Sequence, residues 1–421
     1  MNLKDQVLEL GANALAASRG LAKLSADKKN TILLAMADGI LAASDTILAA
    51  NARDLEAGRE KGLSNAMLDR LALDEKRLAA VADGVRQVAS LPDPVGESLE
   101  SWTRPNGLQI EKVRVPIGVI GIIYESRPNV TSDAAVLCFK TGNATILRGG
   151  SEAFHSNTAI ADALQTAGAA AGLPDHSIQL VPFTDRESVQ HMAEMDQYLD
   201  LIIPRGGEGL IRKVVSLARM PVIKHYDGIC HAYIDRHADL DLATQIVVDG
   251  KCQKPSVCNA LETVLVHSEI AADFLTKAAP ALAARGVSLR ADESLLPLLP
   301  DAAAATEEDW STEYLDLVIA LKQVPDIAAA IAHINHYGSH HSDVIVTGDE
   351  ANATRFLDEV DSSAVFVNAS TRFNDGEEFG FGAEIGISTD KLHARGPMGL
   401  KELTSYKYRV TGTGQLKAPV A

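Results

Sequence analysis

Apolar residues recur at three- and four-residue spacing through residues 1–95, in an Ala- and Leu-rich run whose other positions are largely acids and bases. That spacing predicts a series of amphipathic helices. The run stops at SLPDPVGES (90–98), where two prolines and a glycine break regular structure. A β-branched stretch follows, LQIEKVRVPIGVIGIIYE (108–125), which predicts a strand region with a Pro-x-Gly at its centre. The pattern then alternates. Helix-like SDAAVLCFKTG leads to strand-like ATILRG, a helix from near Ser151, strand IQLVPF, a helix, strand LDLIIPRG, a helix from about Gly207, and strand PVIKHY (221–226).

A second alternating block begins near Cys230, with strand CHAYID, helix ADLDLATQIVVDGK, a polar loop, strand LETVLVH and a long helix over 268–286. It continues with helix PDIAAAIAHINHYG and strands SDVIVTG and SSAVFVN. The βαβα order predicts parallel sheets covered on both faces. SYKYRVTGTG (405–414) predicts one more strand that must pair somewhere. Two α/β lobes with a helical lead-in result, and chemistry is expected in the cleft between lobes. At ~100–200 residues per domain, the length suggests two or three domains.

Composition narrows the function classes. Lys plus Arg is 39 and Asp plus Glu is 56, a net charge of −17. An acidic chain without a Lys/Arg run argues against nucleic acid and anionic membrane as partners. No stretch reaches the ~18–20 apolar residues of a membrane span. The opening MNLKDQVLELGANALAASRG reads as an amphipathic helix, not a signal segment. Four cysteines (Cys138, Cys230, Cys252, Cys258) read as reduced thiols, so the cytoplasm is the expected compartment.

The loop KCQKPSVCNALETVLVH carries the strongest chemical signal. Pro255 and Ser256 break the helix before Cys258, so the thiol is either a loop-borne nucleophile, tuned by Lys254 or His225, or an inert packed cysteine. Cys138 and Cys230 read as core. Cys252 stands in a Cys-x5-Cys spacing with Cys258, which is not a usual zinc pattern. Cys230 with His225 and His231, or His333 with His336, are weak metal patterns, and no metal is expected. Two Gly-rich turns, LRGGSEA (Arg148, Gly149, Gly150) and PRGGEGL (Arg205, Gly206, Gly207), each join a strand to a helix. Such a turn either binds phosphate at the helix N-terminus or is a plain connection.

These residues carry a resemblance. Residues 115–153, VPIGVIGIIYESRPNVTSDAAVLCFKTGNATILRGGSEA, resemble the cofactor-domain core of the aldehyde dehydrogenase superfamily. YESRPNVT, KPSVCNALET, AHINHYGSHHSD and LHARGPMGLKELTSYKY are similar, in that order, to its gamma-glutamyl phosphate reductase family. The resemblance runs from the helical lead-in to near the C-terminus. It implies an α/β, aldehyde-dehydrogenase-like fold: a cofactor domain over 1–228, a catalytic domain over 229–375, and a return to the cofactor domain over 376–421. Strands near 100–115 and from about 400 would form a small discontinuous oligomerisation element. A homodimer or dimer of dimers is implied.

The implied reaction is NADPH-dependent reduction of L-glutamyl 5-phosphate to L-glutamate 5-semialdehyde through a cysteine thioester, the second step of proline biosynthesis. Cys258 aligns with the superfamily nucleophile. The slot of the hydrolytic members' general-base Glu falls on His225, which favours a reductase over a hydrolytic dehydrogenase and leaves His225 either an acid/base or a structural residue. The slot of the oxyanion Asn falls on Ser126, with Asn129 the alternative donor beside the Cys258 N–H. Arg127 would hold the acyl phosphate or the substrate carboxylate, or is simply a surface arginine. Arg148 and Gly149 match the strand end near the adenosine ribose, Gly206 and Gly207 the pyrophosphate turn, and Glu313 the residue on the nicotinamide ribose. The lability of an acyl phosphate motivates one further expectation, a transient contact with glutamate 5-kinase.

Overall fold

The computed structural model describes residues 2–417; residues 1 and 418–421, the outer ends of the first and last predicted segments, lie outside the described residues. The chain forms two compact units, one of residues 1–224, 381–386 and 398–421, the other of 225–380 and 387–397.

The first unit opens with five helices, α1 (Leu3–Leu21), α2 (Ala26–Ala42), α3 (Ser44–Glu60), α4 (Asn65–Leu71) and α5 (Glu75–Ser90). Four of them start at side-chain caps: Asn2, Ser25, Ser64 and Asp74 each accept a backbone N–H of the first turn. Strands β1 (Ser98–Thr103) and β2 (Gln109–Pro116) form a hairpin. Then β3 (Val119–Tyr124), α6 (Asn129–Lys140), β4 (Ala144–Arg148), α7 (Phe154–Ala170), β5 (Ile178–Leu180), α8 (Glu187–Glu194), β6 (Leu201–Arg205) and α9 (Glu208–Leu217) build a parallel four-stranded sheet of order β5-β4-β3-β6. Every residue of β3 is buried, as both faces of a covered parallel strand demand. Because β4 and β6 flank β3, the strand order reverses there. Such a reversal is where open parallel sheets admit ligands, at the carboxyl ends of the strands.

The predicted strand PVIKHY does not form. Pro221 has no N–H to give, and the segment makes a single bridge, Ile202 with Val222.

The second unit contains β7 (Cys230–Ile234), α10 (Leu240–Cys252), β8 (Leu261–His267), α11 (Ala271–Ala283), β9 (Ser288–Ala291), β10 (Ala303–Ala304), β11 (Val318–Val324), α12 (Ile327–Tyr337), β12 (Ser342–Val346), α13 (Glu350–Glu359) and β13 (Ala364–Val367). These seven strands form one parallel sheet, in the order β10-β9-β11-β8-β7-β12-β13. Side chains alternate between two cores. Ala232, Ile234, Val264 and Val344 pack with Phe274 of α11, while Tyr233, Leu265 and Ile345 pack with Ile331 and Phe356. A short antiparallel pair, β14 (Ile387–Ser388) and β15 (Gly396–Pro397), completes this unit.

The chain ends in β16 (Thr404–Thr411), which pairs with β2 from Thr404–Pro116 to Thr411–Gln109. The two strand regions that the sequence leaves without partners therefore pair with each other, in a sheet of order β1-β2-β16. Among the described residues, the edges of this sheet are β1 and β16. Among the described residues no single helix is long and apolar enough to cross a membrane.

Candidate active site

Helix α10 ends at Cys252, and the chain must reverse over 253–260 to enter β8. Cys258 sits in that turn, half-buried. The turn is clasped at its base. Lys251 in the last turn of α10 meets Glu262, the second residue of β8, at 2.5 Å, and both side chains are fully buried. Burial pushes the Glu262 carboxyl up to about 7, against the pull of Lys251.

A second segment packs across the turn. A Cβ at Gly228 would lie 1.9 Å from the Cys258 carbonyl oxygen and 2.4 Å from its Cα, so only glycine fits. The Gly228 N–H donates to Glu313 Oε1 at 2.8 Å, and the Ile229 N–H to Ser339 Oγ at 2.8 Å. Glu313 thus holds the 227–229 segment against the Cys258 turn. Burial raises its carboxyl, the Gly228 amide opposes the rise, and Asp227 adds to it. Cys230 donates its S–H to the Cys258 carbonyl at 3.2 Å. Full burial holds that thiol well above its ordinary range, so it stays protonated.

Two imidazoles complete the cluster. The ligating atoms of His225, Cys258 and His341 lie within 4.8 Å of one another. His225 Nδ1 is 2.9 Å from the Ile387 carbonyl, which can only accept. The proton therefore sits on Nδ1, and Nε2 of the neutral ring is an acceptor. His341 is buried immediately ahead of β12, its Nδ1 2.8 Å from Ser342 Oγ, and its ring meets His225 edge to face at 5.5 Å. Lys254, the other candidate for tuning the thiol, is exposed.

The remaining predicted residues lie in the first unit. Gly206 and Gly207 follow β6 and open α9. The Gly207 N–H already holds an anionic oxygen, Glu125 Oε2 at 3.0 Å, and a Cβ at Gly206 would lie 2.4 Å from that same oxygen. This turn has the anion-binding character that a pyrophosphate needs. Gly149 packs under Asn157, whose Nδ2 would lie 2.1 Å from an added Cβ.

Arg148 is different. It is buried, and its guanidinium donates to the carbonyls of Gly149 at 3.1 Å and Thr184 at 3.0 Å. Burial lowers its pKa from the ordinary arginine range. The fork braces two loops. Asn129 opens α6 and donates to Asp133 Oδ2 at 2.9 Å, with the Asp133 carboxyl pushed up to about 6 by burial. Ser126, at φ 46°, gives both its N–H and its hydroxyl to Glu152 Oε1. Arg127 is exposed.

Sequence reasoning missed two members of the cluster, Gly228 and His341. His341 was visible only as one of four late histidines. Of the others, His333 is buried beside His231 and Trp310 with its pKa pulled down to about 3, mainly by burial, His336 is exposed, and His340 Nδ1 lies 2.6 Å from the Asp361 carbonyl. Gly228, two residues ahead of a strand-opening cysteine, was the one local sign of close backbone approach. Cys138 is core, its thiol pushed up to about 12 by burial.

A family model described as the aldehyde dehydrogenase family matches residues 3–296. A gamma-glutamyl phosphate reductase of Moorella thermoacetica is 56% identical over 417 residues, covering 99% of this chain and 100% of the relative. One from Geotalea daltonii is 54% identical with the same coverage. The crystal structure of gamma-glutamyl phosphate reductase from Thermotoga maritima superposes with a TM-score of 0.96 at 45% identity, covering 98% of this chain and 99% of that one.

Proposed function

Because the chain belongs to the aldehyde dehydrogenase family, and within it to the gamma-glutamyl phosphate reductases, we propose that it reduces L-glutamyl 5-phosphate to L-glutamate 5-semialdehyde with NADPH, the second step of proline biosynthesis. The observation that carries this reading is the Cys258–His225–His341 cluster, which sets a thiol beside an imidazole able to take its proton.

His225 Nε2 takes the Cys258 proton as sulfur attacks the acyl carbon and phosphate leaves. Negative charge gathers on the carbonyl oxygen, and the Cys258 N–H is the donor proposed for it, with Asn129 a second. When bound, NADPH supplies the hydride that reduces the resulting thioester. Collapse of the thiohemiacetal returns the thiolate of Cys258 and releases the aldehyde, and the proton held on His225 returns to sulfur.

The crevice at the β3–β6 reversal, with Gly206 and Gly207 at the start of α9, would hold the pyrophosphate. Gly149 would line the adenosine side. Arg148 would shape this pocket through the loops it braces. Arg127, exposed after β3, is proposed to meet the substrate's phosphate or carboxylate. Glu313 is proposed to reach the nicotinamide ribose with the oxygen that Gly228 does not use.

The outer edge of β16 and its exposed Tyr408 (54%) and Val410 (57%) are proposed to meet a second copy, giving a dimer or dimer of dimers. The cytoplasm is the proposed compartment, and a transient contact with glutamate 5-kinase would shorten the exposure of the labile acyl phosphate to water.

The test runs the reaction backwards. Glutamate semialdehyde and NADP⁺ are mixed with wild type or Cys258→Ala, with and without inorganic phosphate. Phosphate-dependent NADPH formation that the variant loses supports phosphorolysis of a thioester. Sustained turnover without phosphate would replace this reading with a hydrolytic dehydrogenase.

A further inference from the structure

We propose that Cys258, His225 and His341 form an inhibitory binding site for Zn²⁺. One thiolate and two imidazoles are a zinc donor set, and soft sulfur with imidazole selects zinc over magnesium or calcium. The three ligating atoms lie within 4.8 Å of one another. Around a tetrahedral zinc with bonds of ~2.0–2.3 Å they would stand about 3.5 Å apart, so closure needs side-chain shifts of about an ångström.

The surroundings orient the ligands. The Ile387 carbonyl holds His225 Nδ1, and Ser342 Oγ lies beside His341 Nδ1. An outer-shell oxygen on Nδ1 of each ring directs Nε2 toward a metal. Cys258 and His225 are half-buried, so the ion enters from their side, and water fills the fourth position. On binding, the Cys258 thiol proton passes to solvent and the sulfur lone pair is held by the metal. Loss of turnover follows from the reading of Cys258 as the nucleophile; the binding itself does not depend on that reading.

The experiment uses the full chain stripped with a chelator. Zn²⁺ is titrated against a chromophoric competing chelator, and Co²⁺ serves as a spectroscopic probe. Wild type should bind one ion per chain at this site, and the cobalt form should show a thiolate-to-metal charge-transfer band. Cys258→Ser should abolish that band, and Cys258→Ser, His225→Gln and His341→Gln should each weaken Zn²⁺ binding by at least the ~100-fold that loss of an outer-shell partner alone can cost. Turnover should fall as Zn²⁺ binds and return on chelation. Equal affinity in wild type and Cys258→Ser, or a cobalt spectrum without the thiolate band, overturns the proposal. Should buried His341→Gln fail to fold, the cobalt spectra of wild type and Cys258→Ser still decide. A metal-free chain that binds Zn²⁺ as described but lacks reductase activity would remove the functional reading and leave the site. An active chain indifferent to Zn²⁺ would do the reverse.

Discussion

In the unit built on β3 to β6, the candidate cofactor turns follow the strands: Gly149 comes after β4 and Gly206 after β6. In the unit built on β7 to β13, the candidate site residues precede them: Gly228 ahead of β7, Cys258 ahead of β8, Glu313 ahead of β11 and His341 ahead of β12. Both sheets are parallel, so the two units place their candidate sites at opposite strand ends. The difference follows from what fills each reversal of strand order. At the β3–β6 reversal, the start of α9 holds the exposed Glu125 carboxylate through the Gly207 N–H, a partner that an incoming anion can replace. At the β7–β12 reversal, the protein's own groups occupy the carboxyl ends. Asp235 accepts from Thr347 Oγ1 at 2.7 Å, Asn352 Nδ2 at 3.1 Å and Tyr233 OH at 3.2 Å, which leaves that crevice satisfied without a ligand. The amino ends, where α10 delivers the Cys258 turn, are left for chemistry. Loops there are set by tertiary clasps, the Lys251–Glu262 pair and the Gly228–Glu313 hydrogen bond.

The largest expected effect is on the clasp. Lys251→Met strands Glu262 in the core as an uncompensated carboxylate and should cost ~3–5 kcal/mol of stability in urea unfolding. Adding Glu262→Leu should recover most of it, and a loss below about 1 kcal/mol for the single variant would show that the clasp is a solvated pair.

Next comes the close approach at the amino ends. Gly228→Ala forces the 227–229 segment away from Cys258, and a displacement near 1 Å should lower kcat about 100-fold. The loss should appear in kcat and not in the rate at which urea unfolds the other unit. A variant with wild-type kcat would remove Gly228 from the site.

At the carboxyl ends the expected split is reversed. Gly206→Ala places a methyl against Glu125 and should weaken NADPH binding about tenfold, equal to about 1.4 kcal/mol. The rate of Cys258 alkylation by iodoacetamide should not move. Slower alkylation would mean that the two sites are not separable in this way.

The smallest effect concerns Asp133. Its carboxyl, raised by burial from 3.8 to about 6, favours the folded state fully below pH 3.8, and that contribution is lost as pH rises through about 6. Asp133→Asn should therefore match wild type near pH 3.5 and exceed it by about 1 kcal/mol at pH 7, the shift being discounted for partial exposure. Parallel pH–stability curves for the two proteins would place the carboxyl in solvent.

Much of this was legible in the sequence because it is local. The helical lead-in follows from apolar spacing and from caps such as Ser25 and Asp74, and the wholly apolar VIGIIY announces a strand buried on both faces. Pro255 and Ser256 mark the break that carries Cys258, and the ordered motifs identify the family without coordinates. PVIKHY misled because an apolar pair beside a proline resembles a strand, and no local signal shows that the neighbouring edge accepts only one bridge. What the tertiary structure alone decided is which groups face the thiol and which charges are available. His341 reaches Cys258 because β12 lies beside β7 in the sheet. Arg148 is withdrawn from the surface because a loop 36 residues away supplies the carbonyls that accept from it. A sequence specifies a side chain's chemistry and its local geometry. Burial and partners are set by segments distant along the chain, and they determine whether that chemistry faces a ligand or the protein itself.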